Sequence, residues 1–284
     1  MEFTPLTADQ RLAFDRDGYL VIKGALPPEM VERTRTAADR LYQAGLASTG
    51  LNPAGYWCLR NCLPADDVFL ELLDWPTTVP LIAQLLNHNI QMITSHLVVR
   101  PPCPEGTGHD FFQAGWHRDG GTAFFDLGEA QPRMFIKVAY WLTDLSEPGR
   151  GSIRLLRGSN DTSVSAPSDG DEEHLEIRAQ PGDAVLFENR TLHAVGPNLS
   201  DVTRMSVFFG YGYRWLRPMD YLAQPQDLLD RCDPIRRQLL GDCTDAMGYQ
   251  IPQADDVPLK PWLADHIGKA STIDELPGRF FGTR

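Results

Sequence analysis

His117 and Asp119 lie two positions apart, and their types and spacing suggest metal chemistry. In an extended segment such side chains point to the same face, so both can reach one ion. Imidazole nitrogen and carboxylate oxygen suit divalent first-row metals, and two histidines with one carboxylate are typical of non-haem iron(II) oxygenases. The spacing alone is a weak signal, since His174 and Glu176 repeat it. That pair follows an acidic stretch typical of a solvated loop.

A second histidine and an arginine follow at a suggestive distance along the chain. His193 comes after a turn at 181–183 and a β-prone run, and Arg204 lies eleven residues beyond it. An arginine directed into an apolar interior is costly unless it meets a carboxylate, which its planar guanidinium binds through two hydrogen bonds. Ser206 shares the strand face of Arg204. From the residues alone, ligand binding and a structural salt bridge remain equally open for Arg204.

These residues need a β-rich scaffold to bring them together. Short β-prone runs separated by turn dipeptides indicate a sandwich or a barrel, of which the jelly roll is one kind. They lie at 90–100, 134–142, 152–157, 175–179, 183–188 and 203–213. Helical patterns precede them and an irregular segment follows, with one helix predicted at 234–240. We predict a single, mainly β domain with flanking helices: a helical N-terminal region (1–89), a jelly-roll core (90–215) and a C-terminal arm (216–284).

Composition excludes several classes of protein. The 284 residues include 26 Lys and Arg and 38 Asp and Glu, so the net charge is −12, and no basic cluster predicts a nucleic-acid partner. No apolar run is long enough for a membrane span and no signal peptide is recognisable, so we expect a cytoplasmic protein. The cysteine count is odd, which excludes a complete disulfide framework. Cys58 and Cys62 have no second pair to complete a zinc site, which favours thiols without a metal.

Taken together, the motifs form an order that resembles a known family. His117-x-Asp119, a Pro-Gly-Asp turn before His193, and Arg204 resemble the phytanoyl-CoA dioxygenase-like branch of the iron(II)/2-oxoglutarate-dependent oxygenases. The segment 17–24 also looks like that family's N-terminal part. Residues 157–160 fit as well, although Asn160 stands where the family usually has a histidine. The resemblance extends from about residue 10 to residue 215.

The resemblance implies a double-stranded β-helix, a cupin-like jelly roll with a metal at its mouth. His117, Asp119 and His193 match the family's iron ligands, and Arg204 matches the residue that binds the far carboxylate of 2-oxoglutarate. The remaining cosubstrate candidates are Tyr140, where relatives often have an aromatic residue, and, more weakly, Lys137 and Ser206. Because Tyr140 and Lys137 are three positions apart, they face opposite sides of a regular strand, and only one of them is expected to point inward.

The resemblance implies oxidation of a small molecule, with hydroxylation as the expected reaction and secondary metabolism as the expected context. It also implies Fe(II) as the cofactor and 2-oxoglutarate and O2 as cosubstrates. Related halogenases carry a small residue at the position of Asp119, so this carboxylate favours hydroxylation, desaturation, cyclisation or epoxidation. The acidic chain disfavours a CoA ester as substrate. Two alternatives stay open: a cupin-like metal-dependent isomerase or hydrolase in which Arg204 binds the substrate, and a non-catalytic ligand-binding jelly roll.

Substrate selectivity is expected outside the triad. The loop 103–116 precedes His117 and is predicted to act as a lid, because its glycines permit motion and its aromatic residues exclude water on closing. Further aromatic candidates for the mouth are Phe124, Phe125, Tyr211, Tyr213 and Trp215. The sequence determines neither the substrate nor the oligomeric state.

Overall fold

Two antiparallel sheets form the centre of the fold. The computed structural model describes residues 1–106, 115–120, 131–167, 174–244, 247–249 and 252–268. In spatial order the larger sheet contains β1 (Tyr19–Ile22), β7 (Ala184–Glu188), β4 (Phe135–Trp141), β9 (Arg204–Tyr213), β3 (Ile90–Arg100) and β2 (Trp57–Arg60). The smaller sheet contains β6 (Leu175–Glu176), β5 (Ile153–Leu155) and β8 (His193–Val195). The architecture confirms the predicted mainly β fold with a jelly-roll core.

Strand alternation divides the apolar core into two layers. On β4, Val138 and Tyr140 pack on the helical side of the large sheet, whereas Ala139 and Trp141 point between the two sheets. Residues of the smaller sheet, among them Ile153, join this inner layer. Successive side chains of a strand point to opposite faces, so one strand contributes to both layers.

The N-terminal region builds the helical side and also extends the sheet. Helices α1 (Ala8–Asp17), α2 (Pro28–Thr49), α3 (Asp67–Leu72) and α4 (Val79–Leu85) precede β3, with a short 3₁₀ helix at Leu63–Ala65. Thr7 and Gln10 form a capping box at the start of α1, in the Thr-x-x-Gln pattern that is typical of a helix N-terminus. The region is not purely helical, since β1 pairs with β7 and β2 pairs with β3 at the two edges of the large sheet. The sequence pattern did not predict β2.

The C-terminal arm packs against the large sheet. It contains α5 (Gln226–Leu229), α6 (Pro234–Leu239) and α7 (Leu259–Ile267), with a 3₁₀ helix at Ala254–Asp256, and α6 matches the predicted helix. Before α5, the Met219 N–H donates to the carbonyl of Ile93 at 2.8 Å, and the Tyr221 hydroxyl donates to the carbonyl of Met92. These bonds fix the segment around Asp220 beside β3. None of the helices in the described ranges has the length and apolarity needed to cross a membrane.

Candidate active site

His117, Asp119 and His193 come together at one end of the jelly roll. Their potential ligand atoms all lie within 4.8 Å of one another. Backbone pairing brings the two segments into register: each of His117 and His193 donates its N–H to the other's carbonyl at 3.0 Å. Between the two ligands of the first segment, Arg118 points the other way and donates to the carbonyls of Arg190, Ser159 and Val164. This anchor holds His117 and Asp119 on the side that faces His193.

The surroundings of the triad suit a divalent metal. Nδ1 of His117 lies 3.2 Å from the carbonyl of Gly115, and Nδ1 of His193 lies 3.0 Å from the carbonyl of Thr191. When each Nδ1–H donates to its carbonyl, each Nε2 is left as a metal ligand, which is the usual arrangement around metal-binding histidines. His193 Nε2 lies 3.7 Å from Asp119 Oδ2, so the donor atoms converge.

Electrostatics keeps His193 and Asp119 in the protonation states that a metal requires. Burial lowers the pKa of His193 to about 4 and outweighs the charge of Asp119, which raises it. Burial would raise the pKa of Asp119, but the charges of Lys137 and His193 and a hydrogen bond from Lys137 outweigh it and lower the pKa to about 2. A neutral imidazole and an ionised carboxylate are the metal-binding forms. The donor set therefore fits the iron expected from the resemblance.

Lys137 and Tyr140 occupy opposite faces of β4, as their spacing predicts. Lys137 points toward the triad, where its Nζ lies 2.8 Å from Asp119 Oδ2. Tyr140 is fully buried on the helical side, and its hydroxyl is hydrogen-bonded to the hydroxyl of Thr78. Burial raises the pKa of Tyr140. The expected position of Tyr140 beside the cosubstrate is therefore corrected, because the side chain packs among the helices.

Arg204 is a buried cation without a carboxylate partner among the described residues. The side chain is 1% exposed, its Nη2 donates to Ser206 Oγ at 2.9 Å, and its guanidinium carbon lies 5.0 Å from the ring centre of Trp141. Its Nε is buried and has no hydrogen-bond partner. Burial and repulsion by Arg100 lower the pKa of Arg204 to about 9. A structural salt bridge is absent from the described contacts of Arg204, and this favours the ligand-binding interpretation.

Arg204 and the triad open into one cavity of about 580 Å³. Apolar residues form much of its wall, and four cationic side chains and His96 add polar groups to it. Its lining includes Trp57, Val98, Ile153, Phe187, Val195 and Phe208, and also Arg60, His96, Arg100, Lys137 and Arg204. A second cavity of about 400 Å³, beside Arg214 and Tyr249, contains no member of the triad.

Sequence reasoning missed Arg60, His96 and Arg100 as residues of this cavity. A signal existed in β3, where Thr94, His96 and Arg100 share one face of the strand, with Val98 between His96 and Arg100. Nothing comparable marked Arg60, because β2 has only four residues. Position 160 departs from the family pattern, but Asn160 lies outside the cavity and donates to the carbonyl of Asp15 at 2.8 Å.

The predicted lid and mouth residues are only partly covered by the structure. His109, Phe111, Phe112, Gln113, Phe124 and Phe125 lie outside the described residues. Three other aromatic candidates do not line the cavity, which corrects that expectation. Tyr211 is buried on the helical side and its hydroxyl donates to the carbonyl of Leu73, whereas Tyr213 and Trp215 stack on each other with their ring centres 6.1 Å apart.

Comparison with known proteins agrees with this geometry. The model of the phytanoyl-CoA dioxygenase (PhyH) family matches residues 14–206. An ectoine dioxygenase from Stutzerimonas stutzeri (strain A1501) is 24% identical in an alignment of 248 positions that covers 75% of this chain and 79% of that protein. The dioxygenase olcK from Penicillium canescens is 24% identical in an alignment of 267 positions that covers 89% of this chain and 86% of that protein.

Solved structures share the fold. HygX from Streptomyces hygroscopicus, solved with nickel and 2-oxoglutarate bound, matches with a TM-score of 0.60 and 19% identity, covering 79% of this chain and 94% of that chain. The non-haem α-ketoglutarate-dependent epimerase SnoN, from nogalamycin biosynthesis, matches with a TM-score of 0.55 and 19% identity, covering 71% of this chain and 81% of that chain. The match to the family model shows that the chain belongs to the phytanoyl-CoA dioxygenase family. Together with the dioxygenase relatives, the solved structures and the His–Asp–His cluster, this match shows that the chain is an iron(II)/2-oxoglutarate-dependent dioxygenase.

Proposed function

We propose that this enzyme hydroxylates a C–H bond of a small molecule while 2-oxoglutarate is decarboxylated to succinate. In this proposal His117, Asp119 and His193 hold the iron, and Arg204 binds the far carboxylate of 2-oxoglutarate. The proposal rests on one observation: the triad and Arg204 open into one cavity, and the buried Arg204 has no carboxylate partner among the described residues. The association of SnoN with nogalamycin biosynthesis supports a secondary metabolite as the substrate.

The residues of the chain would bind the iron and 2-oxoglutarate, orient the groups that hold them, and exclude water. Bound iron supplies the oxidising chemistry with O2 and 2-oxoglutarate. Lys137 holds Asp119 in place through its ion pair, and Ser206 accepts a hydrogen bond from Arg204 and so fixes its guanidinium. Phe187 and Phe208 line the cavity and keep water away from the reacting groups.

Asp119 decides between two classes of product. Its carboxylate would be the third protein ligand to the metal, and its pKa of about 2 keeps it ionised at neutral pH. The intact triad therefore supports hydroxylation over halogenation. A cupin-like isomerase or hydrolase and a non-catalytic binder are excluded if succinate forms only when 2-oxoglutarate and O2 are supplied.

The test is an anaerobic titration of the metal-free protein with Fe(II) and then 2-oxoglutarate, followed by visible absorbance. We expect a weak metal-to-ligand charge-transfer band only when both are present, and succinate after O2 is admitted. His193→Ala should lose the band, whereas His266→Ala, which changes an exposed histidine on α7, should keep it. Metal binding without a band would contradict the proposal.

A further inference from the structure

We infer that the substrate carries a carboxylate, which Arg60 binds on the wall of the cavity beside His96. This inference rests on the proposed function, because it takes the cavity that holds the triad as the substrate site. It concerns a second anion site in that cavity, separate from the site of the 2-oxoglutarate carboxylate at Arg204.

The charge of the cavity differs in sign from that of the whole chain. Among the described residues that line it, Arg60, Arg100, Lys137 and Arg204 are cationic, whereas Asp119 is the one carboxylate. The chain as a whole has a net charge of −12. A cavity with apolar walls and charges of one sign concentrates ligands of the opposite sign. The lining therefore selects anionic ligands from solution.

Two of these cations have a role in holding the metal site and the cosubstrate. Lys137 is paired with Asp119, and Arg204 is assigned to 2-oxoglutarate. Arg100 is the cross-strand neighbour of Arg204, and it lies over the ring of Tyr56 at 5.0 Å. Arg100 and Arg204 are 3% and 1% exposed and Lys137 is paired, so Arg60 is the exposed cation of the four, and neither the metal site nor the cosubstrate uses its charge.

Arg60 is placed to receive a ligand. It lines the cavity together with Cys58, and its side chain is exposed. It forms no ion pair with any residue in the described part of the chain. Directly across from it on β3 is His96, so the two side chains share the face that looks into the cavity. Side chains in such a cross-strand pair have Cβ atoms about 4.5–5.5 Å apart, so a carboxylate bound by Arg60 lies beside His96.

A buried acid fixes the second member of this pair. His96 Nε2 lies 3.3 Å from Asp220 Oδ2, and the Asp220 side chain is only 1% exposed. The same oxygen accepts the backbone N–H of Ser95 at 2.7 Å and that of Asn61 at 3.1 Å. Asp220 therefore orients the His96 ring from behind the wall, and it is engaged by these groups while Arg60 stays available to a ligand.

The new site lies far enough from Arg204 for two anions to bind together. His96 is the cross-strand neighbour of both Arg60 and Phe208, whereas Arg100 is the neighbour of Arg204. His96 and Arg100 are four residues apart on β3, so the position of Arg60 and that of Arg204 are separated by about 13 Å along the strands, at ~3.3 Å per residue. Val98 and Phe208 line the cavity on this face. The geometry fits an acid with an apolar body that lies along the wall.

The test measures binding of defined probes to the anaerobic enzyme saturated with Fe(II) and 2-oxoglutarate. The probes are straight-chain carboxylates of increasing length, the matching primary amides and the matching alkyl phosphates, and calorimetry gives each dissociation constant. Saturating 2-oxoglutarate keeps the probes away from Arg204. We expect the best carboxylate to bind about ten-fold more tightly than its amide, the lower end of the effect of a charge-assisted hydrogen bond.

Three variants make the result specific. Arg60→Gln should remove the preference for the carboxylate and leave amide binding unchanged, and Arg60→Lys should retain part of the preference. Arg35→Gln, which changes an exposed arginine on α2, should change nothing. Equal binding of acids and amides across the series, tighter binding of the phosphates, or a preference that persists in Arg60→Gln would overturn the inference. The charge-transfer band reports the proposed function independently, so failure of either proposal is recognised separately.

Discussion

Replacing Arg204 by methionine should make the ligand-free protein more stable while removing the 2-oxoglutarate site. Arg204 is 1% exposed, so solvent does not screen its charge, and its pKa falls from 12.5 to about 9. At ~1.4 kcal/mol per pH unit, this decrease corresponds to about 5 kcal/mol of destabilisation of the folded state at neutral pH. Methionine has an unbranched, apolar side chain that adapts to irregular space.

Part of this gain is lost with the contacts of the guanidinium. Its positions over Trp141 and Phe208 contribute ~2 kcal/mol, since cation–π contacts strengthen when they are desolvated. The hydrogen bond to Ser206 contributes ~1 kcal/mol. We therefore expect Arg204→Met to raise the free energy of unfolding by about 2 kcal/mol, using these contributions.

The assay is urea unfolding under anaerobic conditions with Fe(II), with and without 2-oxoglutarate. At a hundred times its dissociation constant, 2-oxoglutarate should stabilise the wild type by ~2.7 kcal/mol and leave Arg204→Met unchanged. The unfolded chain holds the Arg204 proton more tightly than the folded protein does. The wild type should therefore regain stability relative to the variant as the pH rises through about 9.

The matched control is Arg214→Met. Arg214 is also 1% exposed, but its guanidinium donates to the carbonyls of Asp256 and Asp242 at 2.7 and 2.8 Å. Its removal leaves these groups without their donors, so this variant should lose ~1–3 kcal/mol of stability per unsatisfied carbonyl. If Arg204→Met is less stable than the wild type without ligand, or is still stabilised by 2-oxoglutarate, the reasoning is wrong.

Three further substitutions test the scaffold. Asp183→Asn should lose about 2 kcal/mol by urea unfolding, because the buried carboxylate accepts from the N–H groups of Gly24 and Gln180 and from Lys23 Nζ. Burial acts to raise the pKa of Asp183, but these hydrogen bonds outweigh burial, and the net pKa is lowered. The loss of stability should therefore be full above pH 3.8 and should disappear as the pH falls through the folded-state pKa. A difference in stability that does not depend on pH would contradict this. Gly182→Ala should lower the melting temperature measured by calorimetry, since the residue has a φ of +94° and a Cβ would lie 2.6 Å from the Leu26 carbonyl oxygen; an unchanged temperature would refute the close contact. Tyr140→Phe should cost ~1 kcal/mol and leave 2-oxoglutarate affinity unchanged in the absorbance titration, because its hydroxyl bonds only to Thr78 among the described contacts; weaker cosubstrate binding would return Tyr140 to the site.

Local chemistry made much of the fold predictable from the sequence. The capping box at Thr7, the left-handed Gly18 after α1 and the turn at 181–183 are specified by a few adjacent residues, and the structure contains all three. The metal candidates were found for a similar reason. His117 and Asp119 lie in one extended segment, where a spacing of two places both side chains on one face.

The sequence could not decide which face of a strand looks into the cavity. Alternation placed Lys137 and Tyr140 on opposite faces, but it carries no information about which face meets the helices. That choice follows from the packing of Tyr140 against Thr78 and of Lys137 against Asp119.

The sequence also could not predict that Arg60 and His96 of the inferred substrate site are neighbours. Arg60 and His96 are far apart in the chain, and neither has a local partner pattern. The pairing of β2 with β3 makes them neighbours, and Asp220 reaches His96 only because the C-terminal arm packs beside β3. The sequence by itself determined most of the elements other than β2, and the metal-binding types of residue, because these depend on near neighbours. The tertiary structure decided which distant charges share one cavity, because strand pairing and sheet packing bring them together.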